Sequence, residues 1–112
     1  MNSTIPSQIG QLIKVKYISL ENNYLTGTIP AQMSSMENME RCALYGNALT
    51  GMVPKSFSSL IKLQDLLIYD NLLQYVIPSE ICELRDVGDL NEVIISCTDT
   101  VLCNCCICAP SS

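Results

Sequence analysis

No histidine and no tryptophan occur among the 112 residues, and only six residues are basic. Without histidine the chain cannot build a Ser-His-Asp or Cys-His nucleophile, nor a metal site that uses imidazole. Eleven acidic residues against six basic ones leave a net charge of −5. That sign argues against nucleic acid and against an anionic membrane surface, both of which are bound by clustered Lys and Arg. No apolar run reaches the roughly 18–20 residues of a membrane span; the longest, Leu66 to Tyr69 and Val93 to Ile95, are strand-sized. The opening residues Met1 to Pro6 show no basic stretch followed by an apolar one, so no signal peptide is visible. Gly-rich phosphate loops and nucleophile elbows are missing too. With 48% apolar and 15% charged residues, the chain is nonetheless one that folds rather than an acidic tail.

What the chain does have is a period. Pro6, Pro30, Pro54 and Pro78 lie 24 residues apart, as do Asn23, Asn47 and Asn71. The same interval runs through apolar columns: Ile5/Ile29/Val53/Ile77, Ile9/Met33/Phe57/Ile81, Leu12/Met36/Leu60/Leu84, Val15/Met39/Leu63/Val87 and Ile18/Cys42/Leu66/Leu90. Leu20/Leu44/Ile68 and Leu25/Leu49/Leu73 hold it over three copies. Repeats of this length stack as solenoids, because one copy cannot bury its apolar face alone. Alternation in Tyr17 to Glu21, Arg41 to Tyr45 and Asp65 to Tyr69 predicts one short strand per repeat with one buried side. Stacked, the strands form a parallel sheet. Asn23, Asn47 and Asn71 then form a structural ladder whose amides bond backbone groups of neighbouring coils. Met33, Met36 and Met39, three apart, suit a short 3₁₀ or irregular arc on the opposite side, and the column-mates of these methionines assign them to the core.

The consensus LxxLxxLxLxxNxLTGxIPxxI, carried here by residues 5 to about 90, resembles the 24-residue, plant-type extracellular leucine-rich repeat (LRR) of receptor-kinase ectodomains and polygalacturonase-inhibiting proteins. The resemblance implies an α/β solenoid: a right-handed superhelix with a short parallel β-sheet on its concave face and 3₁₀ or irregular convex segments. Two departures stand out. The third coil reads Leu73-Gln74-Tyr75-Val76-Ile77-Pro78, without the Thr-Gly pair. The fourth puts Glu92 and Ile95 where Leu and Asn belong, so the array is expected to end near residue 90. Residues 1–90 are thus expected to hold about three complete coils and a partial fourth, and residues 91–112 a cysteine-rich cap.

Seven cysteines divide between these parts. Cys42 lies in a buried column and reads as a small core residue with a free thiol. Cys82, Cys97, Cys103, Cys105, Cys106 and Cys108 follow the last complete coil, and six cysteines allow 15 connectivities. Adjacent Cys105 and Cys106 are poor partners for each other. Extracellular LRR proteins similar to this one often end in a cysteine-bearing cap, which implies disulfides; a thiolate metal site on Cys103-Asn104-Cys105-Cys106-Ile107-Cys108 and a dithiol redox motif are the rival readings. No metal or cofactor is expected. Asn2-Ser3-Thr4 is a glycosylation sequon, making Asn2 a candidate acceptor.

The outward columns supply the candidate ligand surface: Tyr17, Arg41, Asp65 and Asp89; Ser19, Ala43, Leu67 and Asn91; Glu21, Tyr45 and Tyr69. Tyr45 and Tyr69 should be neighbours on adjacent strands, and aromatic anchors are common at binding surfaces. The expected function is non-catalytic recognition of a protein, peptide or glycan on the concave face, outside the cell or at its surface, with a structural spacer as the alternative. No enzymatic activity is expected, since nothing points to a pocket that would perturb Glu21, Asp65 or Asp70. The chain starts in mid-repeat and is expected to be the C-terminal part of a longer protein, with an uncapped first coil (Ile5, Ile9, Leu12) prone to self-association.

Overall fold

Each proline of the 24-residue series starts a helical turn. Pro6, Pro30 and Pro54, at φ of −72°, −70° and −61°, precede 3₁₀ helices at Ser7–Gln11, Ala31–Ser35 and Lys55–Ser59. The carbonyls of these prolines accept the first i→i+3 bonds, from the N–H groups of Ile9, Met33 and Phe57, each at 3.1 Å. Pro suits such a start because its fixed φ is helical and its missing N–H would have had no partner. The computed structural model describes residues 3–97 and 103–110.

Between the helical turns run the strands. β1 (Ser3–Thr4) pairs with β3 (Leu25–Thr26) in a small ribbon, extended by a bridge between Thr28 and Thr50. The main sheet has five parallel strands in chain order: β2 (Tyr17–Ser19), β4 (Arg41–Ala43), β5 (Asp65–Leu67), β6 (Glu92–Ile95) and β7 (Cys106–Cys108). Gly27 and Gly51, at φ of 78° and 80°, turn the chain after the ribbon, a conformation that glycine adopts without steric cost. Between sheet and helical turns lies a core in which Met33, Met36, Met39, Phe57, Leu60, Leu63 and Leu66 have no exposed surface. This is a leucine-rich repeat solenoid.

The fourth coil corrects the sequence reading. Tyr17, Arg41 and Asp65 align at 24-residue steps, but Asp65 aligns with Glu92, a step of 27. The extra residues enter after Leu84, because this coil winds two α-helical turns, α1 (Ser79–Cys82) and α2 (Leu84–Val87), where its predecessors have a 3₁₀ turn. Val87 is therefore pushed out to 75% exposure, and Leu90 fills the place expected of Val87 in the core. Val93, rather than Leu90, succeeds Leu66; Glu92 and Ile94 stand where Asp89 and Asn91 were expected. The sheet consequently continues through Glu92–Ile95 and gains a fifth strand from the cysteine-rich segment.

Candidate binding face and cysteine cap

The period of two along each strand sends Ile18, Cys42, Leu66 and Val93 into the core and their neighbours outward. One outward row is Tyr17, Arg41, Asp65 and Glu92. Tyr17 and Arg41 are exposed, Asp65 and Glu92 half-buried. Ser19 is exposed and Ile94 half-buried, but Ala43 and Leu67 between them are only 1% and 6% exposed, so the middle row offers a ligand little beyond its two ends. In the third row the Tyr45 and Tyr69 rings stack with centroids 4.6 Å apart and planes within 7°. Glu21 continues that row; one carboxylate oxygen of Glu21 is buried without a hydrogen-bond partner among the described residues.

The charges on this face are coupled. Burial and the facing Asp65 carboxylate raise the Glu92 carboxyl above its ordinary pKa, against the opposing pull of Arg41. Burial, the Tyr45 phenol group and the Asp70 carboxylate likewise raise the Tyr69 phenol, against the pull of Arg41. The face therefore carries an aromatic platform, one guanidinium and, opposite Asp65, a Glu92 carboxyl held above its ordinary pKa.

Behind the face lies the asparagine ladder. The Asn47 side chain accepts from the N–H groups of Asn23 and Leu25, both at 3.1 Å, and donates to the Leu20 carbonyl of the preceding coil at 3.0 Å. Asn71 accepts from Leu49 N–H at 3.0 Å and donates to the Leu44 carbonyl at 3.0 Å. Asn23 donates to Leu20 and Glu21 carbonyls of its own turn, and no donor among the described residues reaches its Oδ1. Sequence reasoning missed the residue at the other end. The Tyr75 hydroxyl donates to the Ile68 carbonyl at 3.0 Å and accepts from Asn71 N–H at 3.2 Å, the two bonds a fourth asparagine would have made. The available signal was the aromatic at the position of Gly27 and Gly51.

The six late cysteines pair as Cys82–Cys105, Cys97–Cys108 and Cys103–Cys106, while Cys42 is a buried free thiol. Burial pushes the Cys42 pKa from 9.0 up to about 12. Cys82–Cys105 fastens α1 to the segment entering β7, and Cys97–Cys108 fastens the end of β6 to the end of β7. Asn2 lies outside the described residues. A shallow groove of about 590 Å³ runs past Asn71, Leu72, Gln74, Tyr75 and Ser96, and among the described residues its lining has no charged side chain. Among the described residues no helix is long and apolar enough to cross a membrane.

Residues 14–36 match the Leucine Rich Repeat family. The LRR ectodomain of the plant membrane receptor kinase GASSHO1/SCHENGEN3 from Arabidopsis thaliana, in complex with CASPARIAN STRIP INTEGRITY FACTOR 2, superposes with a TM-score of 0.72 at 30% identity, over 83% of this chain and 12% of its own. The Arabidopsis receptor kinase HAESA, in complex with the peptide hormone IDA and the co-receptor SERK1, gives 0.70 at 31% identity, over 83% and 16%. A plant ice-binding protein gives 0.71 at 29% identity, over 83% and 32%. No curated protein sequence matches the chain significantly. The chain thus spans a small part of each of these solved structures. It resembles plant receptor-kinase ectodomains in its repeats and carries a disulfide-bonded cap after them.

Proposed function

We propose that the chain is a non-catalytic binding module of an extracellular or cell-surface recognition protein, taking a protein or peptide segment, or a glycan, on the outer, concave face of its sheet. The observation that carries this reading is the Tyr45–Tyr69 stack, with Arg41, Asp65 and Glu92 in the outward row beyond Ala43 and Leu67. Two rings held flat against each other have little rotamer entropy left to lose, and they offer apolar area beside charged groups that can fix orientation. The GASSHO1/SCHENGEN3 and HAESA ectodomains, similar in fold, are solved with CASPARIAN STRIP INTEGRITY FACTOR 2 and with a peptide hormone. Three disulfides support an oxidising location. Fold alone does not choose a ligand, since the ice-binding protein has a similar one.

The test is a screen of secreted peptides, secreted proteins and cell-wall glycans against the full chain, followed by Tyr45→Ala and Tyr69→Ala. Each substitution should weaken a recovered ligand by about tenfold or more, the loss expected at an aromatic anchor, while the melting temperature changes little. An identified ligand that binds the double variant unchanged would place recognition elsewhere. A screen that recovers nothing specific would favour a spacer whose coils serve shape alone, the stack then being ordinary cross-strand packing.

A further inference from the structure

The three disulfides are not equivalent. Cys97 and Cys108 are exposed, whereas Cys82 is buried and Cys103, Cys105 and Cys106 pack against the hydrophobic core. Three of the last four bring their sulfurs together: Cys103 Sγ lies 3.9 Å from Cys82 Sγ and 4.0 Å from Cys105 Sγ. The Cys82, Cys103 and Cys105 sulfurs all fall within 4.8 Å of one another, and Cys106 is bonded to Cys103. Zinc–thiolate bonds of 2.3 Å set tetrahedrally require sulfurs about 3.8 Å apart. Both inter-disulfide distances already meet that spacing.

The approach of Cys103 also distinguishes two chemistries. Its sulfur is almost equidistant from both atoms of the Cys82–Cys105 bond, so it faces that bond broadside. Thiol–disulfide exchange needs attack along the S–S axis through a mixed disulfide, and this arrangement does not present it. Once the bonds are cut, the same arrangement becomes a cluster of convergent donors. The Arg85 Nε donates to the backbone carbonyl of Cys82 at 3.4 Å.

We propose that Cys82, Cys103, Cys105 and Cys106, when reduced, form a four-thiolate site for one Zn²⁺, so that the cap has a disulfide form and a metal form. Reduction takes one dithiol for each of the two S–S bonds. Each bond accepts two electrons and two protons, and each dithiol leaves as its own disulfide. Zn²⁺ then displaces the four thiol protons into solution. Thiolate donors with a tetrahedral spacing favour zinc over the hard, oxygen-seeking cations.

The experiment uses the full chain, reduced with dithiothreitol, desalted under nitrogen and titrated with Co²⁺ and then Zn²⁺. One equivalent of Co²⁺ should give the intense visible bands of tetrahedral cobalt thiolate, and one equivalent of Zn²⁺ should bleach them. Cys82→Ser and Cys103→Ser should each weaken Zn²⁺ by more than the 10–100-fold range of an outer-shell partner, whereas a Cys97→Ser/Cys108→Ser double variant should bind as the parent does. A faint octahedral cobalt spectrum would overturn the proposal. So would an equal loss in the Cys97/Cys108 variant, because an unfolded chain offering any four of seven thiols behaves that way. The oxidised chain should show no cobalt thiolate bands at all.

Discussion

The Tyr75 hydroxyl bonds the Ile68 carbonyl at 3.0 Å, standing in for the asparagine amide that serves the equivalent carbonyl in the two coils before it. The ladder therefore ends on a phenol. Tyr75→Phe keeps the ring and leaves Ile68 C=O with the Asn71 amide as its remaining donor, but it strands the Asn71 N–H, and a buried polar group without a partner costs about 1–3 kcal/mol. The melting temperature should fall by several degrees, whereas Tyr24→Phe, at a site 71% exposed, should leave it unchanged. Calorimetry of both variants decides whether Tyr75 is a rung or only a filler.

The Cys42 thiol, raised from 9.0 to about 12, ties stability to alkaline pH. The folded state holds this proton more tightly than the unfolded one, so the contribution is complete below pH 9 and is lost as pH climbs towards 12. Denaturant midpoints of the parent should decline more steeply across that window than those of Cys42→Ala, whose overall stability is lower but lacks this titration. Thiol counting gives a second check: the native oxidised chain should react with no alkylating reagent, and the denatured, unreduced chain should react at Cys42 alone.

Asp65 and Glu92 are register partners, and the charge on Asp65 helps to hold the Glu92 carboxyl above its usual range. Asp65→Asn removes that charge and should lower the Glu92 pKa, while Arg41→Gln should raise it further. Carbon-detected NMR titration of the Glu92 carboxyl reads both directions, and a Glu92 value indifferent to Asp65 would show that desolvation alone sets it.

The first coil exposes only part of what was expected: Ile5 is buried at 5% exposure and Ile9 is half-buried, so Leu12 alone of the three stands open. Leu12 is 48% exposed, against 0% for Met36 and Leu60 and 1% for Leu84 in the same column. Light scattering should show association that rises with concentration, relieved by Leu12→Lys. A monomer at all concentrations would mean that the end face is tolerated in water.

The repeat was legible because every column is a packing decision made several times over: Leu60 must resemble Met36 since both fill the same slot one coil apart. The fourth coil broke this rule invisibly. Leu84, Val87 and Leu90 keep the three-residue spacing of earlier coils, so Val87 read as core, and only the two α-helical turns reveal that Leu90 is the true successor of Leu63. The outward rows at Tyr17, Arg41, Asp65, Tyr45 and Tyr69 followed from alternation alone. Tyr75 did not, since its role lies in a hydrogen bond that the repeat assigns to a different residue type at a different position. Nor did β7 or the cysteine pairing, which depend on how a non-repeating segment folds back, a choice with no periodic signal.

The two ends of the asparagine ladder give the molecule a mechanical polarity. At one, no donor among the described residues reaches the Asn23 Oδ1; at the other, two covalent bonds, Cys82–Cys105 and Cys97–Cys108, tie the last strand and the residue before it to earlier elements. Under tension applied through the termini, rupture should begin at the first coil and proceed one repeat at a time towards Cys82, where it must stop. The chain is a zipper with a stop sewn into one end.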